Sequence, residues 1–230
     1  MLIELKEVSV IFEEDTDVER VALREINLSF SSNESILLVG NTGSGKTTLI
    51  YLIDLLIKPS RGSLSYDGKD PFLYPYEYRK KFGVAFQIPE RQFFSEMVEQ
   101  ELTYAAKNFQ VPFTQNDIEE VLELVGLRKS VLKESPFRLS GGEQRKVAIA
   151  SILLHKPEFL IFDEPTAGLD LQGVLSVREI LKKFKQNGKG FLIATHEPEL
   201  FEDLCDRKVV LHKGTIFEDL RLSTTRAKGW

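Results

Sequence analysis

The first part of the chain alternates apolar and polar side chains with the period of a β-strand. This pattern covers residues 2–12 and 22–30, and the acidic residues 13–19 form the predicted loop between them. A continuous apolar run at residues 36–39 is typical of a strand buried on both faces of a parallel sheet. Residues 47–56 then carry apolar side chains at helical spacing, which predicts a helix directly after a glycine-rich turn.

The second half of the chain first becomes helical and then alternates between strands and helices. Residues 95–155 read as mostly helical, and Thr114 with Asp117 predicts a capping box at the start of one helix. The segments that follow are predicted as strand, helix, strand, strand and strand, at 159–162, 171–186, 191–194, 208–211 and 215–217. This order predicts an α/β core that carries a helical insertion.

Composition narrows the class of protein. The chain has 230 residues, a formal net charge of −5 and one cysteine, Cys205, which argues against a disulfide framework, a Cys-rich zinc fold or an overall basic nucleic-acid surface. No apolar run approaches the roughly 18 residues of a membrane span, and the amino terminus lacks a signal-peptide pattern. We expect one domain, with a core at 1–87 and 156–222, a helical subdomain at about 88–155 and a disordered tail at 223–230.

The glycine-rich turn fits the phosphate-binding pattern GxxxxGK[ST]. Its glycines would let backbone N–H groups turn towards an anion, Lys46 would reach the β- and γ-phosphates, and the Thr47 hydroxyl would ligate Mg²⁺. An accidental match is the alternative, but the strand before the turn and the helix after it favour the phosphate site. The predicted nucleotide-binding residues here are Gly40, Asn41, Thr42, Gly43, Ser44, Gly45, Lys46, Thr47 and Thr48.

Two carboxylates end the buried strand at 159–162. We predict that Asp163 holds Mg²⁺ and that Glu164 acts as general base towards a water, because ligands bind at the carboxyl ends of parallel strands. Acidic residues at strand ends are common, so this interpretation depends on the phosphate loop.

A second predicted anion site is the run Ser140, Gly141 and Gly142, which opens a helix. The alternative is an ordinary helix cap by Ser140. Because one nucleotide seldom needs two phosphate cradles from one chain, we expect this run to close over a nucleotide that another subunit holds.

These motifs together resemble the ATP-binding cassette (ABC) ATPases over nearly the whole chain, with the Leu-Ser-Gly-Gly signature at residues 139–142 as the most specific match. The resemblance implies a P-loop NTPase (RecA-like) α/β core with an N-terminal antiparallel β-subdomain and an inserted α-helical subdomain. It implies ATP and Mg²⁺ as substrate and cofactor, and catalytic roles for Lys46, Gln87, Glu164 and His196, with Gln87 also a metal ligand.

The same resemblance assigns three roles that each have a plainer alternative. Phe12 would stack on adenine, although it could be core at a strand end. Asp170 would contact the nucleotide across a dimer, although it could simply cap a helix. His196 would sense the γ-phosphate, although alone it reads as a structural histidine.

Residues 87–94 resemble the corresponding segment of energy-coupling-factor ATPases, which drive import of vitamins, cobalt or nickel. The resemblance implies a second ABC subunit, identical or paralogous, and a transmembrane coupling subunit that docks near Gln87 to Phe94. It places the protein peripherally at the cytoplasmic face of the cell membrane, with no nucleic-acid partner. The alternatives are a soluble ABC ATPase acting on DNA or ribosomes and a non-hydrolysing regulatory subunit.

Overall fold

The computed structural model describes residues 1–14, 18–86 and 93–222. A three-stranded antiparallel sheet has the order β2-β1-β4. It contains β1 (Leu2–Phe12), β2 (Arg20–Ser31) and β4 (Arg61–Tyr66). Alternate side chains are buried along much of β1 and β2, as the period-two pattern predicts, and the alternation breaks where the pairing register of the two strands shifts.

A six-stranded sheet forms the centre of the fold and has the order β5-β6-β7-β3-β8-β9. All its strands are parallel except the last, which returns antiparallel after a two-residue turn. The strands are β3 (Ser35–Val39), β5 (Phe82–Ala85), β6 (Phe159–Asp163), β7 (Gly190–Thr195), β8 (Arg207–His212) and β9 (Thr215–Arg221).

Six α-helices accompany the sheets in the described residues. They are α1 (Lys46–Ile53), α2 (Pro75–Arg79), α3 (Val98–Asn108), α4 (Gln115–Val125), α5 (Gly141–Leu154) and α6 (Leu171–Gln186). Helices α3 to α5 lie between β5 and β6 along the chain, where the sequence predicts the helical insertion. No helix in these residues is both long and apolar enough to cross a membrane.

Two hydrophobic cores share the central sheet. Leu37, Phe162 and Ile193 pack with helices α3 to α6, whereas their strand neighbours Leu38 and Ile161 pack with α1 and the antiparallel sheet. Because successive side chains of a strand point to opposite faces, a strand buried on both sides needs a continuous apolar run. This confirms the prediction from residues 36–39.

The predicted elements largely agree with the structure, and the main differences concern α1, α2 and β9, which runs to Arg221 rather than to residue 217. Helix α6 has the predicted bounds, and α4 begins with the predicted capping box. Helix α1 ends at Ile53 rather than at residue 56, because the chain turns at Leu55, which has a φ of 59°. Helix α2 was not predicted, since none of its residues is buried and it therefore shows no apolar period. The predicted tail at 223–230 lies outside the described residues.

Candidate functional site

The loop between β3 and α1 has the backbone that its glycines permit. Gly43 and Gly45 have φ values of 79° and 107°, in the region that side chains disfavour. A Cβ atom on Gly45 would lie 2.8 Å from the carbonyl oxygen of Ala22, and one on Gly40 would lie 2.5 Å from that of Leu211. Gly45 is the N-cap of α1, so no side chain covers the N–H groups of the first turn.

Lys46 lies folded back into this loop. Its Nζ donates to the carbonyl oxygen of Gly40 at 2.6 Å and to that of Asn41 at 3.4 Å. The same Nζ is 3.7 Å from Oε1 of Glu164, and both side chains are about nine-tenths buried. A buried ammonium is therefore held at the loop by backbone oxygens and one carboxylate.

The two acids at the end of β6 have different partners. The Thr47 hydroxyl donates to Oδ2 of Asp163 at 2.7 Å. Burial raises the pKa of Asp163 above its ordinary value, and the neighbouring Glu164 adds to this, while the Thr47 hydrogen bond and the Lys46 charge oppose it. A hydroxyl and a carboxylate oxygen are ligands that suit Mg²⁺, which uses few protein groups beside substrate phosphates.

Glu164 is fixed from several sides. Its backbone N–H donates to the carbonyl oxygen of Ala194 at 2.8 Å, and Nη1 of the buried Arg145 donates to its carbonyl oxygen at 2.7 Å. These bonds hold Glu164 at a φ of 50°, which is unusual for a residue with a side chain. Strain of this kind is frequent at functional sites, where surrounding contacts maintain it.

His196 completes the group because β7 lies next to β6 in the sheet. Its Nδ1 lies 2.7 Å from Oε2 of Glu164, and its backbone N–H donates to the same oxygen at 3.3 Å. The imidazole is 62% exposed, so it faces the open side of the site while the carboxylate lies deep. The structure thus brings together five of the predicted residues, Lys46, Thr47, Asp163, Glu164 and His196.

An open cavity of about 670 Å³ lies over these groups. It has the size of a small-ligand site and is lined by the loop residues Asn41 to Thr48. The Ser44 hydroxyl is buried there and has no hydrogen-bond partner among the described residues. An unpaired buried hydroxyl and uncapped N–H groups fit the phosphate oxygens of a nucleotide.

The remaining predicted residues occupy more ordinary positions. Ser140 caps α5 in a capping box with Glu143, and Asp170 caps α6 through the N–H of Gly173. Phe12 is two-fifths exposed at the end of β1, opposite Arg20, and does not line the cavity. Gln87 lies outside the described residues. Nucleotide contacts by Phe12, Gln87, Asp170 and residues 140–142 therefore stay predictions.

Comparison with known proteins decides the family. The family model described as ABC transporter matches residues 23–167. An energy-coupling factor transporter ATP-binding protein EcfA2 from Thermotoga maritima is 42% identical over 229 residues, which are 96% of this chain and 84% of the relative. The chain belongs to the ABC transporter ATP-binding family.

Other members of the family agree with this assignment. The EcfA2 protein from Bacillus subtilis is 38% identical and covers 94% of this chain and 83% of its own length. A dimeric ATP-binding cassette in a post-hydrolysis state, bound to ADP and Pi, superposes with a TM-score of 0.86 at 25% identity, covering 96% and 98% of the two chains. The cbiO1 subunit from Clostridium perfringens, part of the ABC transporter complex cbiONQ, superposes with a TM-score of 0.79 at 28% identity. The match covers 95% of this chain and 88% of cbiO1.

ABC ATPases use ATP as substrate and Mg²⁺ as cofactor, and the predicted fold class is confirmed. Three residues at the site were not assigned a role from the sequence. Arg145 follows the predicted signature run, but only the fold shows that it reaches the backbone of Glu164. Arg20 and Lys213 line the cavity from distant parts of the chain, and no local pattern marks them.

Proposed function

We propose that this protein is the ATP-hydrolysing subunit of an ABC importer of the energy-coupling-factor type. The proposal is supported by relatives named energy-coupling factor transporter ATP-binding protein EcfA2, which are about 40% identical over most of their length. We propose one ABC ATPase domain over residues 1–230, in which the central and antiparallel sheets bind nucleotide and the helices between β5 and β6 form the helical subdomain. The observation that carries the catalytic part is the position of Glu164 between Lys46 and His196.

Glu164 is placed to act on a water at the γ-phosphate. Its carboxylate would orient the water and accept a proton as the water oxygen attacks phosphorus and the bond from phosphorus to the bridging oxygen breaks. His196 holds one carboxylate oxygen at 2.7 Å, so the other faces Lys46 and the cavity. Lys46 would exchange the carbonyl oxygens of the loop for phosphate oxygens when the nucleotide binds.

Thr47 and Asp163 would hold Mg²⁺, which neutralises charge on the phosphates. Of the predicted loop residues, Asn41 to Thr48 line the cavity and would contribute N–H groups to those phosphates.

We further propose that a second ABC subunit supplies Ser140, Gly141 and Gly142 to the bound nucleotide. A Cβ atom on Gly141 would meet nothing within 4 Å, so this helix start is open to an approaching ligand. The Ser140 hydroxyl is held by Glu143, and these hydrogen bonds lower the pKa of that carboxyl. The dimeric state of the post-hydrolysis cassette supports this arrangement.

A membrane subunit is the proposed partner of an exposed aromatic pair. The rings of Phe94 and Tyr104 lie 4.3 Å apart, centroid to centroid, and both residues are at least half exposed. Phe94 is the last residue of the predicted docking segment, 87–94, and Tyr104 lies in helix α3. Aromatic side chains are common anchors at protein interfaces. The protein would thus work peripherally, at the cytoplasmic face of the membrane.

Replacement of Glu164 by Gln tests the catalytic proposal. The variant keeps the shape of the side chain but not its basicity, so we expect ATPase turnover to fall about 100-fold or more. Glu158→Gln is the matched control, because Glu158 precedes β6 as Glu164 follows it and its half-exposed carboxylate pairs with Lys81 at the surface. Turnover of E164Q within about threefold of wild type would remove Glu164 as the base.

The same variant tests the proposed dimer. If two subunits close over ATP before it is hydrolysed, a variant that cannot hydrolyse ATP should accumulate as the closed dimer. Size-exclusion chromatography with ATP and Mg²⁺ should then show dimeric E164Q, and E158Q should elute as the wild type does. A monomeric E164Q that still binds ATP would contradict the shared site.

A further inference from the structure

Three segments meet behind the phosphate loop. The turn Lys213–Gly214, between β8 and β9, donates from the N–H of Gly214 to the carbonyl oxygen of Ser44 at 2.9 Å. The carbonyl oxygen of Gly214 accepts from the N–H of Arg24, in β2, at 2.8 Å. A Cβ atom on Gly214 would lie 2.7 Å from the carbonyl oxygen of Ala22. The turn is therefore fixed against both the loop and β2.

The geometry of the turn also fixes the start of the Lys213 side chain. Lys213 and Gly214 have φ values of 48° and 80°, and they join the paired residues His212 and Thr215. Positive φ at both positions defines a type I′ turn, which prefers Asn, Asp or Gly at the first position. A lysine is an unfavourable choice there for the turn alone. Lys213 lines the cavity over the phosphate loop.

The charges around the cavity show what such a lysine contributes. Lys46 faces Asp163 and Glu164, so this part of the lining is net negative. MgATP is itself an anion, and this lining would oppose its binding. Arg20 and Lys213 also line the cavity, and their two positive charges make the net charge of the lining positive. In the described part of the chain neither of these two exposed side chains forms an ion pair.

We propose that Lys213 binds the phosphate chain of the nucleotide, with Arg20 as a second cation in the lining of the same cavity. The assignment rests on the proposed function and adds two binding residues to it. Lys213 would act through its charge, because the turn places this residue in the lining of the same cavity as residues 41–48. A cation a few ångströms from a phosphate in a largely aqueous site changes affinity by about fivefold.

The test compares nucleotide affinities of three variants of the full chain by isothermal titration. Lys213→Gln removes the charge, and Lys213→Arg keeps it. Lys69→Gln is the control, because Lys69 is also exposed and next to a tight turn but does not line the cavity. We expect K213Q to raise the Kd for ATP and for ADP about fivefold at low salt, and the difference to shrink at high salt. K213R and K69Q should bind as the wild type does.

Two results would overturn the assignment of Lys213 and leave the proposed function untouched. One is a K213Q variant that binds ATP like K69Q at both salt concentrations. The other is a K213R variant as weak as K213Q, since that would trace the effect to the turn rather than to charge. A wild-type chain that bound no ATP would instead overturn the proposed function, and this assignment with it.

Discussion

Asp54 is a carboxyl group buried at the end of α1, far along the helix from the phosphate loop. Only 5% of the residue is exposed, and its nearest cation is Arg79, 3.8 Å away on α2. Burial raises the pKa of Asp54 from 3.8 to about 7, and Arg79 offsets only part of this effect. Tyr66 and Tyr78 pack nearby, and burial together with Asp54 raises the pKa of Tyr66. We therefore predict that Asp54→Asn stabilises the protein above neutral pH.

The size of the effect follows from the two pKa values. Between pH 3.8 and about 7 the folded protein keeps a proton on Asp54 that the unfolded chain has released. Unfolding then releases a proton, so stability falls as pH rises through this window and levels off above it. Over the whole window the free energy of unfolding falls by about 4 kcal/mol. Between pH 5.5 and 8 it falls by about 2 kcal/mol. Asparagine does not titrate, so D54N lacks this loss.

Guanidinium denaturation at pH 5.5, 6.5 and 8 measures the effect. The free energy of unfolding of D54N should exceed that of wild type by a margin that grows by about 2 kcal/mol from pH 5.5 to 8. Arg79→Gln provides a second check, since losing the cation should extend the fall in stability to higher pH. A margin that stays constant across these pH values would refute the reasoning, because it would show that Asp54 titrates alike in both states.

Two further predictions concern the phosphate loop. Gly45→Ala should cost about 2–5 kcal/mol of folding free energy and abolish ATP binding, because its Cβ atom would meet the carbonyl oxygen of Ala22 at a φ of 107°. Gly188→Ala, with positive φ but open space, should lose only about 1 kcal/mol and keep ATP binding. Thr47→Ala removes the hydrogen bond to Asp163 and should raise the half-saturating Mg²⁺ concentration for ATPase activity about tenfold. An unchanged Mg²⁺ titration would contradict the metal role of Thr47.

The sequence predicts best where a local pattern and a local cause coincide. Helix α6 has the predicted bounds because Asp170 caps its start and its buried residues follow the helical period. Helix α1 ends earlier than predicted because Leu55 adopts a left-handed backbone despite its side chain. Apolar spacing carries no information about such a turn. The short helix α2 has no buried residue, so it left no pattern to find.

The same distinction applies to the site. Lys46, Thr47, Asp163 and Glu164 were predicted because each lies in a short motif that ends or follows a strand. His196 contacts Glu164 because β6 pairs with β7. Strand order is a property of the whole sheet, so no short motif predicts this contact. Lys213 reaches the cavity through a similar long-range approach, so the chain near residue 213 gave no sign of a nucleotide.

The place of β3 in the central sheet has a consequence for synthesis of the chain. β3 carries the phosphate loop but pairs with β7 and β8, and its first residue, Ser35, also donates to Asp206, 171 residues later. A growing chain thus leaves both edges of this apolar strand unpaired until β7 and β8 have been made. The loop meets Asp163, Glu164 and His196 only after β6 and β7 have been made, so the complete site forms late in synthesis. Cellular ATP would then favour completed folding by mass action.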